Sequence, residues 1–414
     1  MTTTNEVDHT PEERSGLAAL VYDGKARSLF FQGVLAILIM VMIYLAVQNA
    51  AQNLADQGKE FGFGFFDRPS DIQILTTFGT WLVGYVPGES TIFDVLKLSV
   101  ANTLILAIAG IFFATILGFL MGIMRLSSNF VVKGFATIYI EVMRNIPLLL
   151  QIFFWNAALR LIAPGPRDAG TFVPGLLQFN TKGIYGPFPI THDGFYLTMM
   201  AVIIAIGAVI AYGKYAKKVQ EQTGKQSPVF LISVAILIGL PTLVFLITGR
   251  PLTIEWPNFV SEGPVLRRGF ERGVGSYIAP EFMALFLALT TYTAAFIGEI
   301  VRAGIQAVPK GQSEASEALG LPGGLAMRKV ILPQAFRVII PPLTSQYLNL
   351  TKNSSLAAAI GYPELVAVFA GTILNQVGRA IEIVAVVIIV YLTISLLTSL
   401  FMNWFNNRVK LVER

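Results

Sequence analysis

The sequence predicts an all-α integral membrane protein with about eight transmembrane helices. Three observations lead there. Of 414 residues, 54% are hydrophobic and 13% charged, against about 25% charged in a soluble domain; so few charges cannot cover the water-facing surface of a chain this long. Uncharged apolar stretches recur at the length a helix needs to cross hydrocarbon, roughly 20 residues. Lys and Arg gather in alternate connecting segments.

Taken in order, the opening residues are polar, with Asp8, Glu12 and Glu13, and no apolar run begins before Leu29. They read as a cytoplasmic tail, 1–28, and not as a cleavable signal. The stretch 29–47 is apolar apart from Gln32 and Gly33 and gives the first crossing. The stretch 98–124 carries no charge and must tilt or protrude. The third, 134–159, is apolar except around Glu141 and Arg144. Stretches 195–213 and 228–249 pair around a polar loop, and 282–298 runs uncharged into Glu299 and Arg302. The seventh, 338–371, is interrupted by Pro341, Pro342, Lys352, Gly361 and Pro363, and 383–405 closes the chain. Loops 49–95 and 160–194, rich in Gly, Phe and Pro, read as irregular structure on the outer side.

Short-loop charge sets the orientation. With both termini inside, the inner side holds Arg125, Lys133, Lys214, Lys217, Lys218, Lys225, Arg302, Lys310, Arg328, Lys329, Arg337, Arg408, Lys410 and Arg414. Arg267, Arg268 and Arg272 are the main exception. The net charge of +5 is spread over these loops and forms no concentrated basic face for nucleic acid. Without cysteine, and with only His9 and His192, the chain offers no disulfide, no thiolate and no histidine-based metal site.

One inner loop stands apart. It contains Glu314-Ala315-Ser316 and Gly320, and closes on Leu332-Pro333. Gly311 can leave the preceding helix, and Glu314 and Glu317 then favour the positive end of a new short helix. Ala315, Ser316 and Ala318 keep that helix slim, Gly320 suits the position just past its end with Pro322 beyond, and Pro333 suits the first turn of the next helix. Such a helix can be an ordinary connection, or it can seat in another protein and pass rigid-body motion into the bundle.

The spacing of Glu314, Ala315, Gly320, Leu332 and Pro333 resembles the motif of permease subunits of bacterial ABC importers, departing from it at Ser316 and Val330, where size is kept. The segments around Ser99–Leu104, Glu141–Pro147 and Gly298–Gly311 resemble the polar-amino-acid permeases of the histidine/glutamine type, and the enlarged layout is similar to the Q-type permease of general L-amino-acid and glutamate/glutamine/aspartate importers. The resemblance implies a permease core at 95–160 and 280–414, with the coupling loop at 307–333. To that core are added a first helix and periplasmic loop, 29–94, and an insertion at 161–279 that brings an extra helix pair. It implies an inner-membrane protein moving L-amino acids by alternating access. Its partners would be a second permease, a cytoplasmic ATPase pair holding ATP-Mg, and a periplasmic binding protein. The chain has no GxxxxGK[ST] loop of its own, binds no cofactor and is not an enzyme on this reading. A secondary transporter needs no ATPase but should show an inverted repeat, which is not visible; an intramembrane enzyme needs a nucleophile, metal cluster or carboxylate dyad.

Charges within crossings are costly and mark paths or pairs. Glu141 and Arg144, like Glu299 and Arg302, stand three apart on one helical face. Each couple reads either as a gate or zwitterion site, or as a salt bridge within its helix. Gln346, Asn349, Lys352 and Glu364 lie in the interrupted seventh crossing, where broken helices expose backbone dipoles to substrate.

Overall fold

The computed structural model describes residues 24–56, 62–262, 264, 268–271 and 273–409. Residues 1–23 of the expected tail, Arg267, Arg272, Lys410 and Arg414 lie outside the described residues. The chain is mostly helical, as hydrocarbon demands that each backbone N–H and C=O be paired within its own segment. It divides into two units, residues 1–64 and 65–414. The first holds α1 (Gly24–Asp56), which begins inside the stretch expected as tail. The large apolar side chains of α1 are exposed along its length, as suits a helix in lipid.

The second unit carries α2 (Thr77–Val83), α3 (Ile92–Arg125), α4 (Phe130–Asn145), α5 (Leu148–Ile162), α6 (Phe195–Thr223) and α7 (Val229–Ile247). After these come α8 (Pro280–Gln306), α9 (Lys310–Ala318), α10 (Gly323–Ala326), α11 (Leu332–Asn353), α12 (Leu374–Val377) and α13 (Ala380–Val409). Among the described residues six helices, α1, α3, α6, α7, α8 and α13, are long and apolar enough to cross a membrane. The stretch 134–159, expected as one crossing, is the pair α4 and α5, bent by 106°. Pro147 is the cause: it drives Ile146 out of the helical region to φ −93°, ψ 127°. The expected seventh crossing is also not one span. Helix α11 runs through Pro341 and Pro342, and the break comes later, in a 3-10 stretch Ser354–Ala359, the turn at Gly361 and a π-helical stretch Ala367–Ile373. Both prolines lie on an exposed face of α11, where neighbours outside the helix can meet the backbone groups they leave. Among the described residues six spans, or seven if the bent pair is one, are long and apolar enough, where about eight were expected.

The loops expected as irregular contain short strands. β1 (Gly170–Val173), β2 (Leu177–Asn180) and β3 (Gly183–Gly186) are joined by β8 (Ser276–Ile278) in an antiparallel sheet ordered β1-β2-β3-β8. β4 (Phe188–Thr191) pairs with β5 (Leu252–Glu255), and β6 (Phe259–Val260) with β7 (Gly269–Phe270). Strands of two to four residues are too short to show alternation in sequence. Arg160 at the end of α5 pairs with Glu281 at the start of α8 beside this platform.

Helix α8 is the most buried of the six spans. Leu285, Leu289, Ile297 and Val301 of α8 join Leu106 and Ala114 of α3, Ile152 of α5, and Ile339, Leu343 and Leu350 of α11 in one core. The close approach of α3 comes from a stripe of small residues, Gly110, Ala114, Gly118 and Gly122, repeating every four positions on one helical face. A Cβ on Gly118 would stand 2.6 Å from Ile297 Cβ, and one on Gly122 would stand 2.6 Å from the Gly298 carbonyl oxygen.

Gly118→Leu is therefore expected to overpack this seam and cost about 1–3 kcal/mol, read as a fall in melting temperature of the purified protein in detergent. Gly134→Leu, at a glycine whose added Cβ meets nothing within 4 Å, serves as the control and should leave the melting temperature near that of the parent.

Candidate functional site

Three features gather the residues singled out in the sequence. The first is α9. Helix α8 ends at Gln306, and the break before α9 falls at Val308-Pro309, with Pro309 the residue that opens α9. Gly311 lies inside the first turn of α9 and does not end α8, so the expected start is displaced toward the N-terminus. Glu314 then sits in mid-helix and Glu317 in the last turn, and neither occupies the positive end. The C-terminal stop is as expected. Gly320 has φ +69°, and its N–H reaches the Glu317 carbonyl at 2.9 Å while the Leu321 N–H reaches the Ser316 carbonyl at 3.1 Å, the paired bonds of a glycine-terminated helix. Pro322 follows at once.

Ser316 is the fully buried residue of α9, its hydroxyl donating to the Gln312 carbonyl at 2.7 Å. Gln334 of α11 donates to the Gln312 side chain at 3.1 Å and to the Val330 carbonyl at 3.1 Å, so α9 is seated against the start of α11. Leu332 and Pro333 form that start, directly after a π-helical stretch Met327–Ile331. Glu314, Ala315, Ala318 and Leu319 are left exposed. Leu319, 78% exposed beside Gly320, was not singled out from the sequence; a large apolar residue just before a helix-ending glycine was the available signal.

The second feature is a set of charges where α3, α4 and α8 converge, at the end of α8 that leads into α9. Glu299 and Arg302 pair within α8 as their spacing suggests, Arg302 Nη2 to Glu299 Oε1 at 2.5 Å and Arg302 Nε to Glu299 Oε2 at 3.0 Å. Glu141 and Arg144 do not pair. Arg125, the last residue of α3, reaches Glu141 at 2.9 Å with one nitrogen and Glu299 at 2.5 Å with the other. Arg144 instead lies over the ring of Phe296 on α8, 5.2 Å from its centre, a cation–π contact. Of the two readings of Glu141 and Arg144, the salt bridge within α4 is not formed; Glu141 pairs between helices with Arg125, which the α3–α4 turn brings to it.

The third feature is α11 and the break after it. Val338, Pro341, Pro342, Ser345, Asn349 and Lys352 are exposed, and their spacing of three and four places them on one face. Gln346 is half-buried at its edge. Glu364 is elsewhere. It is fully buried and accepts the N–H groups of Val366 at 2.9 Å and Ala367 at 2.7 Å and the hydroxyl of Tyr391 at 3.0 Å. Nearby, Asn102 donates to the Pro363 carbonyl at 2.9 Å and Thr103 accepts from Leu365 N–H at 3.2 Å. Glu364 thus caps the turn that follows it and ties that turn to Tyr391 of α13, while Asn102 and Thr103 hold the neighbouring Pro363 and Leu365 against α3.

The chain matches the model for the binding-protein-dependent transport system inner membrane component over residues 223–411. It is 46% identical, over the full length of both chains, to a protein of Rhizobium johnstonii, the general L-amino acid transport system permease protein AapQ. It is 45% identical to YhdX of Escherichia coli, a putative amino-acid ABC transporter permease protein, over 94% of this chain and 95% of that one. It is 37% identical, over 98% of each chain, to BztB of Rhodobacter capsulatus, a glutamate/glutamine/aspartate/asparagine transport system permease protein. The chain belongs to the family of inner-membrane permeases of binding-protein-dependent ABC transporters. A permease of this family is a transport component in the membrane and works with a separate binding protein; ATP hydrolysis belongs to separate ATPase subunits.

In this permease Glu364→Ala would leave two backbone donors, Val366 N–H and Ala367 N–H, to find new partners, while the Tyr391 hydroxyl keeps its 3.3 Å contact with Ser354. The expected result is a loss of thermal stability, about 1–3 kcal/mol for each group left unpaired. Reduced uptake at unchanged melting temperature would instead place Glu364 on the transport path.

Proposed function

We propose that this permease imports L-amino acids of the polar range from periplasm to cytoplasm by alternating access, driven by an ATPase pair that engages α9. The observation that carries the substrate class is the end-to-end 46% identity with a general L-amino-acid permease. The exposed face of α11 supports a path shared with a second permease chain. Ser345, Asn349 and Lys352 are too polar to face lipid, and this chain leaves them uncovered. A second, similar permease placed against α11 would cover them and leave a channel lined by Gln346, Asn349 and Lys352. On this reading both termini are cytoplasmic, as the basic loops suggest. Glu314, Ala315, Ser316, Gly320, Leu332 and Pro333 then form the cytoplasmic coupling element, with Leu319 as an added apolar contact for the ATPase. The permease core is 95–160 and 280–414, and 161–279 is inserted into it.

The reading is tested by expressing the permease with the second permease, ATPase and binding protein, reconstituting the complex in vesicles, and measuring ATP-dependent uptake across all amino acids. Uptake of polar amino acids is expected, and its absence with every amino acid would overturn the proposal. Gly320→Arg, which forces a bulky side chain into a left-handed backbone, should lower uptake by about tenfold or more at unchanged insertion into the membrane. Lys352→Met should alter the ranking of acidic, neutral and basic substrates; identical kinetics for all three would remove Lys352 from the path.

A further inference from the structure

The convergence of α3, α4 and α8 has a shape that neither helix spacing nor the coupling element explains. Glu299 and Arg302 occupy the last two turns of α8, and three residues separate the end of that helix from the start of α9. Glu141 lies on α4, between one and two turns before the bend at Pro147. Arg125 stands between them and touches both carboxylates.

The two contacts differ in kind. Glu299 is held on both oxygens by Arg302 as well as by Arg125, and its side chain is 25% exposed. Glu141 has a side chain 51% exposed, and its ion pair is with Arg125. One arm of the guanidinium thus reaches α8 and the other, at the more exposed carboxylate, reaches α4. The remaining contacts between α4 and α8 include Ile140 near Gly298, Arg144 over the Phe296 ring at 5.2 Å, and a hydrogen bond from the Tyr139 hydroxyl to the Thr291 carbonyl at 2.7 Å, two turns further from the charged end; Arg125 is the group among these that joins α4 and α8 to the end of α3 as well. Apolar contact is non-directional and permits sliding; a planar guanidinium gripping two carboxylates sets register and angle.

We propose that Arg125 is the positioning residue that transmits displacement of the α8–α9 end to α4, and so to the bent pair α4 and α5. The proposal rests on the importer reading above. It also predicts its own tolerance. Without Arg125, Glu299 still keeps Arg302, and Glu141 has a half-exposed side chain, so no buried charge is left alone. The loss should therefore fall on coupling and spare folding.

The test uses the reconstituted complex with its ATPase, second permease and binding protein, and reads amino acid carried per ATP hydrolysed alongside melting temperature. Arg125→Gln is expected to lower that ratio by about tenfold, within the usual range of coupling between sites, with melting temperature near that of the parent. Glu141→Gln, which removes only the charge on the α4 arm, should lower the ratio in the same direction. Arg125→Lys, which keeps the charge but loses the two-armed grip, should recover part of it. An unchanged ratio in both Arg125→Gln and Glu141→Gln, or a ratio that falls only in step with melting temperature, overturns the proposal. A wild-type complex without ATP-dependent uptake would sink the importer reading itself, and the two failures are told apart by the unsubstituted control.

Discussion

The contact on which the rest of the second unit depends is the seam between α3 and α8. Two long helices in a membrane gain little from burying leucine against leucine, because lipid tails are as apolar as the core. They gain from close approach, and close approach needs small residues. Gly118, Gly122 and Gly298 supply it, with the Gly122 position stacked on the Gly298 backbone. Once α3 and α8 are fixed, α5 and α11 have a surface to pack on, and the C-terminal ends of α3 and α8 lie together. That is why Arg125 and Glu299, far apart in sequence, meet at 2.5 Å.

The same solvent rule gives the exposed polar residues their meaning. A side chain such as Lys352 on an exposed helix face would be ordinary in a soluble protein. Helices α1, α7 and α13 expose mainly Leu, Ile, Phe, Val and Met, so the exposed Ser345, Asn349 and Lys352 of α11 stand out, and that contrast is what supports the path proposed above. Glu364 shows the opposite case. It is ionisable and buried, but its three hydrogen bonds close a capping arrangement.

Much of this was legible in the sequence, where local chemistry decides the outcome. Long uncharged runs became α3, α6, α7, α8 and α13, and Gly320 ended its helix with the expected backbone bonds. What was not legible depends on tertiary neighbours. The spacing of Glu141 and Arg144 is that of a pair, but nothing in that spacing reports Arg125 arriving from the preceding helix. Pro147 was a readable break, hidden by the apolar run around it. Pro341 and Pro342 were readable breaks that failed, because α11 places them on its exposed side. The β-strands escaped notice because each is too short to carry a pattern.

The segment between α5 and α8 raises a geometric problem that its own strands answer. More than a hundred residues separate Ile162 from Pro280, yet α5 and α8 pack in one core and must end and begin close together. The segment leaves α5 through β1, β2 and β3, and returns through β8, which pairs antiparallel with β3. Antiparallel pairing brings the outgoing and returning chain side by side whatever lies between them. The Arg160–Glu281 ion pair fixes the same two ends directly, and the Tyr277 N–H to Thr77 Oγ1 bond at 2.8 Å ties β8 to α2. Helices α6 and α7 pack chiefly on each other, with β4 and β5 paired where the two helices meet the platform. They can therefore be present without displacing any residue of the α3–α8 seam, and because they come as a pair, the chain returns to the side of the membrane from which it left.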